Sequence, residues 1–247
     1  VRSLQRAISL LDHLCESGEM GVTELSEATG LHKSTVHRLL ATLERDQIVR
    51  QNPYNGRYRL GLKLMVLGAA ATRSIEIRSI ARPHLERLTK ITGGNVHLGI
   101  LDLDHVLYID KIEAEGSSKL YSQVGRQAPL HCTALGKVLT AYLPRAQQKR
   151  LLCSSPLRRY TNRTIVEPDQ LLQHLKQVAR QGYAVDDGEH EDLVHCYAAP
   201  ILDEAGQAIA AISVTKVGTA LPSANREKLI SKIMKAAASI ECDLKRN

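Results

Sequence analysis

The chain has 247 residues, enough for one large domain or two modest ones, each with a buried core. Lys and Arg number 33 against 26 Asp and Glu, and the resulting charge of +7 favours a polyanionic partner. With 8 Tyr, no Phe and no Trp the chain has few stacking platforms, which argues against single-strand binding and for duplex reading.

The 5 cysteines, Cys15, Cys132, Cys153, Cys196 and Cys242, are scattered and form no CxxC. A disulfide framework or zinc finger is therefore not expected, and the chain reads as reduced and cytoplasmic. No signal peptide or membrane span is expected either: the apolar run Leu64–Ala71 is far too short to cross a bilayer.

In chain order, Leu4, Ile8, Leu11 and Cys15 predict a first helix over residues 2–16. Two short helices follow within TELSEATGLHKSTVHRLLATLER, residues 23–45. Thr23 is the expected cap of the first. Gly30 stands where the helix must stop, because glycine accepts the left-handed angle that such a stop needs. His32 is the expected cap of the second, with Leu31 and Val36 as a hydrophobic staple. Val36, Leu39, Leu40 and Leu43 form its core stripe. Ser34, His37, Arg38, Ala41 and Arg45 lie opposite, and Lys33 and Thr35 flank the exposed first turn. Hydroxyls, an imidazole and cations at that end suit phosphates and base edges of a major groove.

Next comes RQNPYNGRYRL, residues 50–60, with Asn55-Gly56 as the expected two-residue hairpin turn and Arg50, Arg57 and Arg59 around it. A helix-turn-helix with a basic β-ribbon is a winged helix-turn-helix, here over residues 1–61, with Lys33, Ser34, Thr35, His37, Arg38 and Arg57 as the expected DNA contacts. Residues 62–74 read as a linker helix. Its run Leu62–Ala70 is apolar nearly all round, so it must be covered, either by a copy in a dimer or inside its own chain.

A second domain is expected over residues 75–247. Its elements are a helix Ile77–Thr92 with Ile80, Leu85, Leu88 and Ile91 inward, a hairpin of Val96–Leu101 and Val106–Ile112, and a short strand at Leu120-Tyr121. Helices Thr133–Tyr142, Arg145–Leu152 and Asp169–Gln181 follow, then strands Tyr183–Asp186, Val194–Leu202 and Ala208–Lys216, then a helix from Ser223. This order is α+β with an antiparallel sheet.

Thr133-Ala134-Leu135 opens a helix whose free amides and dipole make an anion-binding end. Gly136-Lys137 is no phosphate loop: a Walker A motif needs glycine where His131 stands and Ser or Thr where Val138 stands. Ser213 and Thr215, at i and i+2 on an apolar strand, share one face and are either satisfied core groups or ligand contacts. Cys196 and His195 point to opposite faces and form no thiol–imidazole couple, although His190 could reach Cys196. The acidic run Asp186, Asp187, Glu189, His190, Glu191, Asp192 could hold a metal but reads better as a solvated loop.

GVTELSEATGLHKSTVHRLLATLE with YRLGLKLMVLG resembles the IclR family of bacterial transcription regulators. PLHCTALGKVLTAYL and GYAVDDGEHEDLVHCYAAPILDEAGQAIAAISVT resemble that family's effector domain, a GAF-like or profilin-like fold. The resemblance spans essentially the whole chain. It implies a non-enzymatic regulator without cofactor, a homodimer or homotetramer on a palindromic duplex operator, controlled by a small carboxylate such as a sugar acid or keto acid. A repressor is expected, with an activator, or a metal sensor or enzyme tethered to DNA, as alternatives. The resemblance places the effector's carboxylate on the amides of Ala134 and Leu135. Its polar groups fall against Asp186, Cys196, Ser213 and Thr215, with Leu120 as an apolar wall.

Overall fold

The computed structural model describes residues 2–73, 76–117, 122–153 and 156–246. The chain divides into two compact units, Val1–Ser74 and Ile75–Asn247.

The first unit holds α1 (Arg2–Ser17), β1 (Glu19–Met20), α2 (Val22–Thr29), α3 (Lys33–Arg45), β2 (Val49–Gln51), β3 (Tyr58–Leu60) and α4 (Lys63–Arg73). Its small antiparallel sheet has the order β1-β3-β2. The core is Leu10, Leu14, Leu25, Val36, Leu40, Val49 and Tyr58. Gly30 ends α2 in the left-handed conformation at φ +68°, and His32 precedes α3, both as expected.

Three local expectations are corrected. The buried face of α1 is Leu10 and Leu14, not the stripe through Leu4 and Ile8, which are 62% and 49% exposed. Apolar residues cover more than one face of this helix, and only one face packs inside the unit. Thr23 does not cap α2. The helix starts at Val22, and the Glu24 carboxylate reaches back to accept from the Gly21 amide at 2.7 Å. The wing does not turn at a two-residue Asn-Gly. Of that pair only Gly56 has a positive φ, and the connection runs from Asn52 to Arg57, closed by Asn52 N–H donating to Arg57 O at 2.7 Å. The side-chain amides of Asn52 and Asn55 both bond Glu19 on β1, which favours the longer loop.

On α4, Leu62 just before it and Met65, Val66 and Leu67 within it are all at least half exposed. Within their own unit these residues are left uncovered.

The second unit holds α5 (Glu76–Thr92), β4 (Asn95–Asp102), β5 (His105–Ile112), β6 (Gln127–Pro129), α6 (Ala134–Ala141), α7 (Arg145–Cys153) and α8 (Pro168–Gln181). β7 (Ala184–Asp187), β8 (Val194–Leu202), β9 (Ala208–Val217) and α9 (Ser223–Leu244) complete it. Among the described residues these strands form one antiparallel sheet, ordered β6-β5-β4-β9-β8-β7. The fold is α+β. The expected strand at Leu120-Tyr121 lies outside the described residues, and β6 was not foreseen.

Each face of the sheet has its own core. On one face Val96, Leu98, Tyr197, Ala199, Ile212 and Val214 pack with α5 and α9. α5 turns Ile77, Ala81, Leu85 and Leu88 inward, whereas Ile91, expected inward, is 51% exposed because it lies past the end of that stripe. On the other face Val106, Ala198 and Ala211 pack with α6 and α8. Here small residues let α6 come close: a Cβ on Gly136 would lie 2.5 Å from the Leu130 backbone. On Gly99 it would meet Leu135 at 3.1 Å.

Candidate functional site

Two places in the chain gather chemistry. The first is the outer face of α3. Lys33, Ser34, His37 and Arg38 are exposed there and Thr35 is half-buried, while Val36 and Leu40 hold the opposite face in the core. No side chain caps the helix start. Thr35 N–H donates to the His32 carbonyl at 2.9 Å, so the amides of Lys33 and Ser34 are the ones left for an anion, next to the Lys33 ammonium.

Arg57, expected to contact DNA, has its guanidinium engaged inside the unit: Nη2 is 2.7 Å from Glu24 Oε2 and donates to Glu19 O at 2.9 Å. Its visible task is to fasten the wing to α2 and β1. Arg50 and Arg59, which face each other across the ribbon, are the cations the wing exposes.

The second place is a cavity of about 40 Å³ in the second unit, between the start of α6 and the sheet. Ala134, Leu135, Asp186, Cys196, Ser213 and Thr215 all line it, so the structure brings together these six expected residues. Leu120 lies outside the described residues. The register explains the convergence. Asp186 pairs with Cys196, Cys196 with Thr215, and Ser213 with His97, all side by side on one face of neighbouring strands. On the helix side Thr133 accepts from Gly136 N–H at 3.1 Å through its hydroxyl and from Lys137 N–H at 2.9 Å through its carbonyl. The amides of Ala134 and Leu135, first in the helix, have no intrahelical acceptor by geometry and sit at the cavity wall.

The acidic run is solvated only in part: Asp187 and Asp192 are exposed, but two of its carboxylates are not. Asp186 and Glu189 are 2% and 8% exposed. Asp186 Oδ1 accepts from Glu189 N–H at 2.7 Å, and Glu189 pairs with the fully buried Lys137. Thr161 and Thr164 donate to the Gly188 and Glu189 carbonyls at 2.7 Å and close the loop. Burial is the cause of the altered acidities. It pushes the Asp186 carboxyl up to about 7, against the pull of the Glu189 amide and Lys137. It raises the Cys196 thiol and the Tyr108 phenol as well. His195 points away from Cys196 and bonds Asp187 Oδ1 at 2.7 Å and Gly218 O at 3.1 Å.

Three lining residues, His97, Tyr108 and Ser122, escaped the sequence reading, and His190 and Glu191 were read there as a thiol partner and part of a candidate metal loop, not as effector contacts. His97 had a usable signal. Alternation on β4 puts it opposite the core residues Val96 and Leu98, on the cavity side. Ser122 had none, since it belongs to a connection between strands. Among the described residues, no group of three or more His, Cys, Asp or Glu is placed to hold a metal ion.

Comparison with known proteins bears on both places. Residues 3–53 match the IclR helix-turn-helix domain, and residues 69–242 match the bacterial transcriptional regulator IclR C-terminal domain. The chain belongs to the IclR family.

The HTH-type transcriptional regulator XynR of Escherichia coli K12 is 37% identical over 241 residues, covering 97% of this chain and 96% of that one. The transcriptional repressor IclR of the same organism is 34% identical over 218 residues, 87% of this chain and 80% of that one. Among solved structures, an IclR homologue from Microbacterium hydrocarbonoxydans, complexed with 4-hydroxybenzoate, superposes with a TM-score of 0.87 at 25% identity. It covers 99% of this chain and 100% of its own. This IclR-family chain thus matches transcriptional regulators over nearly its whole length.

Proposed function

We propose that the chain is a cytoplasmic repressor that binds a palindromic duplex operator as a dimer and is controlled by a small carboxylate in the second unit. The observation that carries the proposal is the cavity itself. It sets the open end of a helix opposite a rail of hydroxyls, with a carboxyl held near neutrality between them.

In this reading α3 enters the major groove. Lys33, Ser34 and Thr35 take phosphates, while His37 and Arg38 reach base edges. Arg50 of the wing takes backbone phosphates, with Arg57 as its fastening. The exposed apolar residues Leu62, Met65, Val66 and Leu67, with Leu4 and Ile8, form the surface that a second copy covers. Two half-sites about 34–36 Å apart then require that dimer. A tetramer could be built from the same dimers.

The effector's carboxylate lies on the amides of Ala134 and Leu135, where fixed donors and the helix dipole favour negative charge. Ser213 and Thr215 donate or accept on the sheet side, and Asp186 meets a ligand hydroxyl. A relative by fold is complexed with a hydroxylated aromatic acid, which agrees with this chemistry. The effector binds one dimer geometry better than another and so shifts the population that can hold the operator. The chain performs no catalysis in this reading: the Cys196 thiol is pushed away from the thiolate, and His195 faces elsewhere.

The test is a thermal-shift screen of small acids, cations and apolar molecules on the full chain, followed by operator binding with each hit. A ligand that engages only the folded state at a hundredfold excess over its Kd stabilises by about 2.7 kcal/mol. Hits that are carboxylates and alter operator affinity support the proposal. Hits confined to cations or apolar molecules overturn it.

A further inference from the structure

One wall of the cavity is a chain of polar side chains that crosses three strands. Ser122 Oγ lies 2.8 Å from His97 Nε2. His97 Nδ1 is 3.5 Å from Thr215 Oγ1, and Thr215 Oγ1 is 3.2 Å from Cys196 Sγ. The members are buried or nearly so, and all of them line the cavity. The chain has one weak link. At 3.5 Å the His97–Thr215 contact is at the limit of a hydrogen bond, whereas both neighbouring links are normal for their atoms. His97 Nδ1 and Thr215 Oγ1 thus hold each other only weakly, and both residues line the cavity, so an oxygen approaching from the cavity side can bond both.

We infer that His97 is a specificity-determining residue of the effector pocket, and that a hydroxyl or carbonyl oxygen next to the effector's carboxylate bonds His97 Nδ1 and Thr215 Oγ1 from the cavity side. The inference rests on the proposed reading of the cavity as a carboxylate site. Its position follows from the fold. Gly99, the next residue on the cavity face of β4, lies against Leu135 at the start of α6. His97 therefore stands one side-chain position from the helix end that takes the carboxylate, close enough for a substituent on the adjoining carbon.

The imidazole reads dipoles, not charge. Burial holds its pKa down to about 3, with the nearby Lys111 adding to the effect, so it is neutral under ordinary conditions. A neutral ring carries one N–H and one lone-pair nitrogen. Ser122 engages Nε2 in either sense, and Nδ1 takes the complementary role toward the ligand. The Tyr108 ring, 5.4 Å from the imidazole between centroids and inclined by 55°, limits how His97 can turn. The cavity is also small: a water needs roughly 10–15 Å³ of such space. The oxygen-bearing carbon therefore belongs to a compact acid.

The experiment is calorimetric binding of propionate, lactate and pyruvate to the full chain. These three acids share the carboxylate and differ only in the oxygen at the adjoining carbon. Wild type is expected to prefer lactate or pyruvate over propionate by tenfold or more, because sites that pair a ligand oxygen reject analogues lacking it. His97→Leu should remove that preference while leaving propionate within about threefold of wild type. His97→Gln, which restores a donor and an acceptor, should recover a large part of it. Thr215→Val should mimic His97→Leu. Unfolding midpoints measured alongside establish that each variant is folded, and if His97→Leu is not, the comparison of His97→Gln with Thr215→Val carries the test.

Equal loss for all three acids in the variants, or an unchanged preference, would overturn the role of His97 while leaving the carboxylate site standing. If wild type binds none of the three acids, the compact acid and the role of His97 both fall, whereas the carboxylate reading falls only if the wider screen returns no acid.

Discussion

The two candidate sites are built in opposite ways. On α3 the functional side chains stand in solvent on a helix whose other face is core. In the cavity the functional groups are buried, and burial has largely removed charge: His97 is held neutral and Asp186 is raised to about 7. The difference follows from what each site meets. A duplex brings its own dense charge and releases counterions when exposed cations touch it. A small acid brings one charge, and a pocket of neutral dipoles beside a helix end can take it without leaving an unpaired ion when empty.

The largest expected effect tests whether the exposed site needs a second copy. Leu67→Glu puts a charge in the apolar surface of α4. Sedimentation should show monomers, and operator binding should be lost. A well-behaved dimer with normal operator affinity would mean that α4 plays no part in assembly.

Inside the second unit, Lys137→Met leaves Glu189 buried without its cation. A loss of about 3–5 kcal/mol in urea unfolding is expected, because breaking a buried pair strands a charge. A change under 1 kcal/mol would show that water reaches Glu189.

Asp186 gives the two-site contrast a pH signature. Its folded pKa is raised above the ordinary aspartate value, so the folded chain holds that proton more tightly than the unfolded chain does. Its contribution to stability is therefore complete below about pH 4, is lost as pH rises toward about 7, and is level above that. Asp186→Asn should remove this slope. The variant should be more stable than wild type at pH 8 by roughly 1–4 kcal/mol, with little difference at pH 4. Parallel curves for the two proteins between pH 4 and pH 8 would contradict a buried Asp186.

Smaller effects belong to α3. Arg38→Ala should weaken cognate DNA by roughly 1–3 kcal/mol and relax base preference. Lys33→Ala should weaken all sequences alike and lower the salt slope by about one. Equal losses on cognate and random duplexes for both variants would remove Arg38 from base reading.

The contrast also explains what was legible in the sequence. The face of α3 could be read residue by residue, because its pattern depends on periodicity within one helix. The wing's position was legible too, but its turn was not: Asn52 and Asn55 bond Glu19, more than thirty residues away in sequence. α1 misled because its apolar residues cover two faces and only tertiary contact chooses between them. In the second unit, the hairpin of β4 and β5 and the shared face of Ser213 and Thr215 followed from alternation. The acidic loop did not. Nothing local shows that Lys137, on a helix fifty-two residues earlier, lies under Glu189. Alternation on β4 was a signal for His97 that went unread, and its partners Ser122 and Thr215 come from other elements and emerge only with the fold.

The central claim is that an acid held in the cavity of the second unit controls DNA binding by the first. Its most direct test uses a duplex selected from random sequence by the wild-type chain, with fluorescence anisotropy followed while lactate or pyruvate is added. Wild type should change its duplex affinity at least fivefold at saturating acid. Ser213→Ala should hold the duplex as wild type does without acid and need at least tenfold more acid for the same change. If wild type holds the duplex equally with and without acid that calorimetry shows to be bound, or if Ser213→Ala responds at the same concentrations as wild type, the claim is contradicted.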